Sequence, residues 1–323
     1  YGVLKSADAD LKFALLTGVT KFSKVSVFSD LNNLNDISMD TAFHNICGIT
    51  DEELHQVFDS EVQLLADSNG QRKEEAYATL RRRYDGYHFD CRLNSGLYNP
   101  FSVLNTLSKR TYGSYWFNTG TPTYLVELIK EAHFNIEQLS NYIASEDQLN
   151  SIHVESIDPI PVLFQSGYLT IKDCDLSMNT FLLDFPNNEV RKGFVTLVAN
   201  NYLQTKEDTG GVSRELVLAL KAANLDRFRK HLTSFLADIP YTMRRKETER
   251  ERERYFHYTF YLLMRMVSCY TVYTEKEQSE GRVDCIIEVP GYVYIFEFKL
   301  DGTADEALQQ IEDKGYVRPY EAD

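Results

Sequence analysis

Asp284, Glu297 and Lys299 are the residues of this chain whose types and spacing best suit chemistry. They lie in Gly281-Arg-Val-Asp-Cys-Ile-Ile-Glu-Val-Pro-Gly-Tyr-Val-Tyr-Ile-Phe-Glu-Phe-Lys299, where two apolar β-rich runs flank a Pro-Gly turn. That is the pattern of a hairpin. With Pro290 and Gly291 at the centre of the turn, Val289 faces Tyr292, and counting outward sets Asp284 opposite Glu297. Side chains alternate along a strand, so Glu297 and Lys299 share one face while Phe296 and Phe298 point to the other. Like charges facing each other in a sheet are destabilising, and a cation between them turns that cost into a binding site. Two such carboxylates can hold Mg²⁺, with water filling its remaining octahedral positions. The ion polarises a phosphoryl oxygen and acidifies a bound water, while Lys299 orients that water or stabilises developing charge. The set suits metal-assisted hydrolysis of a phosphodiester.

These residues need a framework. A strand bearing Glu-x-Lys is commonly a solvated edge, but Val283, Ile286, Ile287, Val293 and Ile295 predict a central hairpin. Upstream, the charged run 244–254 leads into the apolar stretch Tyr255–Val267, which reads as one helix, solvated first and buried second. Glu253 begins the apolar part and is a candidate third metal ligand. His257, one turn further on the same face, is the histidine placed nearest the site. A strand near 270–275 precedes the hairpin, and a helix near 303–314 follows it. Gln310 on that helix can position the lysine or the water. The final segment therefore runs α-β-β-β-α.

The rest of the chain is mostly helical. Residues 11–16 read as a buried strand ending at Thr17-Gly18. Thr50-Asp-Glu-Glu53 is a capping box that opens a helix over 50–66, and a second helix covers 71–84 before a turn at Tyr84-Asp-Gly-Tyr87. Pro100 opens a helix through Leu107, with further helices over 121–131, 135–144, 188–205, 213–222 and 224–238. A hairpin is expected over 168–185. The aromatic run Tyr112-Gly-Ser-Tyr-Trp-Phe117 offers rings either for base stacking or for packing, with packing favoured.

Composition sets limits. At 323 residues, 43% hydrophobic and 25% charged, the chain has the make-up of a globular protein with room for two or three domains. A net charge of −14 argues against wholesale coating of nucleic acid, though not against a local cleft served by a bound cation. Five scattered cysteines, never in Cys-x-x-Cys spacing, point to reduced thiols in the cytoplasm and to no zinc site. No stretch approaches the roughly 20 apolar residues of a membrane span. Neither His-Glu-x-x-His nor Gly-x-Ser-x-Gly occurs.

Gly281-Arg282-x-Asp284, Glu297-x-Lys299, Ala307-x-x-Gln310-Ile311 and Lys314-Gly315-Tyr316 together resemble the PD-(D/E)XK nuclease superfamily. The likeness is to the nuclease-like domain fused to bacterial AAA-type ATPase-like proteins. It implies that Asp284 and Glu297 bind Mg²⁺ or Mn²⁺, that Lys299 is the catalytic lysine and that Gln310 is its helix companion. Glu253 matches the acidic residue of the first core helix, with Glu275 as competitor. Phe13-Ala-Leu-Leu-Thr17-Gly18, Tyr84-Asp-Gly-Tyr87, Tyr98-Asn-Pro-Phe101 and Trp116–Pro122 resemble the ATPase-like part and the segments after it.

The resemblance implies three parts: the C-terminal portion of an ATPase-like α/β domain over 1–95, a mostly helical connection over 96–243 and a restriction-endonuclease-like core over 244–323. No Gly-x-x-x-x-Gly-Lys-[Ser/Thr] loop is present. The chain opens at Tyr1 and ends soon after the last helix, so the expectation is a fragment lacking both the phosphate loop and the final nuclease strand. ATP would then belong only to the full-length family member, with Thr17 the weak candidate for sensing its γ-phosphate. The expected activity is metal-dependent cleavage of nucleic acid, DNA first. The alternative is an ATP-dependent switch or binding protein with a non-catalytic nuclease-like domain.

Overall fold

Pro290-Gly291 turns the chain as its composition requires. Gly291 adopts φ +86°, the left-handed value that a glycine supplies at the third position of a type II turn. In this computed structural model the strand Gly281–Val289 pairs with Tyr292–Phe296 in the register Val289↔Tyr292 through Cys285↔Phe296. The structure describes residues 10–18, 35–93, 95–119, 123–132, 134, 136–139, 141–150, 158–203, 209–238, 249–266, 271–278, 281–299 and 302–321. The chain divides into two compact units, 1–191 and 192–323.

In the first unit, α1 (Asp51–Val57) opens with the expected capping box, in which Thr50 and Glu53 satisfy each other's amides. A break at Phe58 starts α2 (Asp59–Ser68), followed by α3 (Lys73–Tyr84) and α4 (Pro100–Lys109). Leu54, Val62, Leu65, Leu80, Tyr98 and Val103 form their shared core. After α5 (Thr123–Glu131), the helix expected over 135–144 is instead a 3-10 turn at Ile136–Leu139 and a strand, β1 (Tyr142–Ser145). The short helices α6 (Glu146–Asn150) and α7 (Ile160–Gln165) lead to the predicted hairpin, β2 (Thr170–Asp175) and β3 (Thr180–Asp184). β3 takes β1 as its second partner. That pairing explains the misreading, because a strand stabilised by distant ladder bonds need carry no local signal.

Two further expectations change in this unit. Residues 11–16 are neither strand nor buried: Phe13 is 79% and Leu15 58% exposed. No ladder partner reaches them among the described residues, and a lone apolar run cannot satisfy its backbone as a strand. The five thiols are not all free. Cys91 and Cys174, 83 residues apart, form a disulfide with a Cα–Cα separation of 5.7 Å, while Cys47 is an exposed thiol and Cys285 is buried. Cys269 lies outside the described residues. The aromatic run packs locally: Trp116 meets Tyr168 edge-on at 4.7 Å, and the Tyr115 and Trp116 amides donate to buried Glu189.

Helix α8 (Asn188–Leu203) carries the boundary between the units. The second unit continues with α9 (Thr209–Lys221), α10 (Leu225–Asp238) and α11 (Glu249–Met266). Residues 244–248 of the expected helix lie outside the described ones. β4 (Thr271–Gln278), β5 (Gly281–Val289), β6 (Tyr292–Phe296) and α12 (Ala304–Asp313) complete the α-β-β-β-α order. β5 is central, between antiparallel β4 and β6. The expectation of a wholly central hairpin is corrected for β6. Among the described residues it pairs with β5 alone, and Tyr292 and Val293 are exposed.

Apolar residues lock this layer to its helices. On one side Val283, Ile286 and Tyr316 are buried with Ile295, Ile311 and Tyr320 against them. The Tyr316 hydroxyl donates to the Arg282 carbonyl at 3.0 Å. Elsewhere in the unit, Phe228 of α10 and Phe260 of α11 pack on Phe296, and Phe260 also meets Phe298 edge-on at 5.0 Å. Truncating a buried Phe of this kind costs about 3–5 kcal/mol, so the aromatic stack fixes where the end of β6 lies. No helix among the described residues is long and apolar enough to cross a membrane.

Candidate active site

Asp284 and Glu297 emerge where the hairpin ladder stops, one residue beyond the Cys285↔Phe296 pair. The Phe298 amide donates to Asp284 Oδ2 at 2.8 Å, and His257 Nε2 lies 3.5 Å from the same oxygen. His257 comes from α11 and rests on the Phe298 ring, with centroids 4.8 Å apart. Asp284 is thus held by the strand end and by the helix packed over it.

Glu297 has different company. Its Oε1 accepts from Lys299 Nζ at 3.2 Å and from Gln310 Nε2. Lys299 Nζ also donates to Gln310 Oε1 at 2.6 Å. Gln310 reaches the site because α12 is anchored through Ala307 and Ile311, with Thr303 and Glu306 closing a capping box at its start. The Glu297 side chain is only 3% exposed, yet its Oε2 is buried without a hydrogen-bond partner among the described residues. Lys299 keeps 31% of its side chain open.

The two carboxyls shift in opposite directions. Burial pushes Asp284 up, but His257, the Phe298 amide and Lys299 outweigh it and hold the group below the usual aspartate range. Burial and then the charge of Asp284 push Glu297 up, and Lys299 and His257 offset this only in part. Ionising both acids would set an excess of negative charge side by side in a largely buried place.

An oxygen-ligated cation fits that excess. Glu297 Oε2 is an acceptor with no donor among the described residues, and Asp284 is held toward its ionised form beside it. Among the described residues no three His, Cys, Asp or Glu side chains group tightly enough to enclose a metal. Mg²⁺ is an ion that one or two carboxylates hold while it keeps several waters.

The sequence-predicted residues are partly assembled. Asp284, Glu297, Lys299 and Gln310 share one cluster with His257. Glu253 lies on α11 and Glu275 on β4, and the side chains of both fall outside the described residues. The register Thr274↔Cys285 and Lys276↔Val283 sets Glu275 at the backbone position across from Asp284. Thr17 is exposed and irregular in the first unit. The Phe298 amide, which fixes Asp284, was missed, since no side-chain pattern reports where a backbone N–H points. The offset of His257 from Glu253 was the signal for the histidine.

Residues 251–323 match the model of the PD-(D/E)XK nuclease superfamily, so the second unit carries a domain of that superfamily. Over 326 aligned residues the chain is 35% identical to the "Uncharacterized protein in vnfD 5'region" of Azotobacter chroococcum mcd 1. The alignment covers 100% of this chain and 60% of that protein, so the chain spans about three-fifths of the relative's length. No solved structure matches the chain.

Proposed function

We propose that the C-terminal domain is a nuclease-type phosphodiester hydrolase, dependent on Mg²⁺ or Mn²⁺ and acting on DNA. One observation carries this reading: the buried, unpartnered Oε2 of Glu297 beside an ionised Asp284 and a lysine amine. Asp284 and Glu297 would hold the ion, which supplies Lewis acidity toward a phosphoryl oxygen and an acidified water. Glu275, across from Asp284 in register, and Glu253 on α11 are the alternatives for a third carboxylate.

The chain's own groups supply the rest. Gln310 takes a hydrogen bond from the Lys299 amine and gives one to Glu297, so both face the same point. From there the ammonium can hold the attacking water or meet charge developing on the phosphate. The Phe298 amide and His257 keep Asp284 in its ionised form, ready to accept an ion.

The proposal extends to an ATPase-like module over 1–95 and a helical connection over 96–243, supported by the segments around Thr17-Gly18, Tyr84–Tyr87 and Trp116–Pro122. Nucleotide binding by the full-length protein tests that part.

For the nuclease, full-length protein is incubated with DNA and Mg²⁺. The expected result is cleavage that EDTA stops and that Lys299→Ala lowers by about a hundredfold or more, the scale of losing one charge-stabilising group. Circular dichroism of that variant should match wild type. Cleavage that survives Asp284→Ala would overturn the proposal.

A further inference from the structure

Alongside the acid pair the second unit has a cavity of about 420 Å³. Its walls are apolar and aromatic: Leu232 and Leu236 of α10, Phe256 and Phe260 of α11, and Phe298 after β6. His257, Glu297 and Lys299 line the same cavity, so it is shared with the groups that would face the scissile phosphate. Phe260 is buried, whereas Phe256, Phe298, Leu232 and Leu236 are each half-buried and leave part of their surface to the cavity.

The geometry points to this cavity as the seat of one unpaired nucleobase, which makes single-stranded DNA the preferred substrate. This inference rests on the nuclease reading, because the phosphate at Lys299 is what brings the base within reach. The volume lies at the small end of ligand pockets and suits one base rather than a base pair with two backbones. Aromatic rings stack on any base, so such a wall selects for an accessible π-face and not for sequence. A base inside a duplex is covered on both faces and reaches the cavity only after the cost of unpairing and unstacking. The apolar wall also repels the phosphate itself, which leaves Lys299 and His257 as the described basic groups of the lining to receive it. The nucleotide is thereby oriented with its base inward and its phosphate at the acid pair.

The test measures affinity of full-length protein for single-stranded and duplex DNA of equal length in Ca²⁺, with cleavage in Mg²⁺ followed separately. Wild type should bind the single strand at least tenfold more tightly. Phe256→Leu keeps an apolar wall but removes the π-face, and should lose about tenfold of that affinity, whereas Phe256→Tyr should retain it. Equal affinity for the two DNA forms, or a Leu variant indistinguishable from wild type, overturns the pocket. Cleavage together with equal affinities leaves the nuclease reading standing and the pocket refuted. Tight single-strand binding without any cleavage does the reverse. Failure of both measurements overturns both.

Discussion

Asp51 in the first unit and Asp284 in the second are both carboxylates held below their ordinary range, by different means. Burial pushes Asp51 up, and Arg81 and Tyr98 overcome it. The Arg81 guanidinium donates to one oxygen at 2.7 Å and the Tyr98 hydroxyl to the other at 2.8 Å. Both oxygens of that acid have donors, and His55 Nδ1 lies 3.8 Å from one of them. Asp284 instead shares its surroundings with Glu297, so two acids face one lysine and a histidine. The first arrangement leaves neither oxygen of Asp51 without a donor and ties together α1, α3 and the loop before α4. The second leaves a buried oxygen without a donor, a configuration that stabilises nothing in the protein alone. An acid with donors on both oxygens is a structural contact, whereas two acids side by side, one with an oxygen lacking a donor among the described residues, leave room for a cation.

The comparison breaks most readily with divalent metal. Mg²⁺ at about 100 times its dissociation constant should add about 2.7 kcal/mol to the stability of the second unit and nothing to the first. Differential scanning calorimetry of wild type and of Glu297→Gln checks this. The gain should vanish in the variant, and equal gains for both proteins would erase the distinction between the clusters. Glu275→Gln and Glu253→Gln, measured in the same way, identify the third carboxylate by which of them weakens the gain.

A smaller effect follows from the opposed pKa shifts. Glu297 takes its proton above the ordinary 4.5, so without metal the folded state binds more protons there than the unfolded chain. Its contribution to stability is complete below 4.5 and is lost as pH rises through the raised value. Asp284, lowered from 3.8, contributes above that value and loses its contribution as pH falls through the lowered one. Above pH 4.5 and up through the raised value only the Glu297 effect operates. Metal-free wild type should therefore lose stability over that window relative to Glu297→Gln. Parallel melting curves would contradict the buried acid pair.

The smallest effect belongs to the first unit. The Arg81 side chain is 60% exposed, so its pair with Asp51 is screened by water. Arg81→Ala should cost no more than about 1 kcal/mol, read from urea unfolding, and should leave metal binding unchanged. A larger loss would mean that the matched cluster carries more of the fold than its exposure allows.

Much of the second unit was legible beforehand. The Pro-Gly turn fixed the register, because two residues that cannot continue a strand leave one way to pair Val289 with Tyr292. Alternation then set Glu297 and Lys299 on one side, helical spacing pointed to His257, and Gln310 was singled out on the helix after the hairpin. The first unit was read less well where pairing was distant. β1 passed for a helix because its partner, β3, lies over 30 residues away, and Cys91 finds Cys174 only through the fold.

The sequence by itself determined which side chains were available and, through local periodicity, which strand and helix faces they occupy. Tertiary structure alone decided how deeply Glu297 is buried, that the Phe298 amide holds Asp284, and that aromatic rings from α10 and α11 leave a cavity beside the acid pair. The physical reason is range. Periodicity and turn chemistry act over a few residues, whereas burial, electrostatic surplus and cavity shape are sums over elements that meet only when the chain has folded.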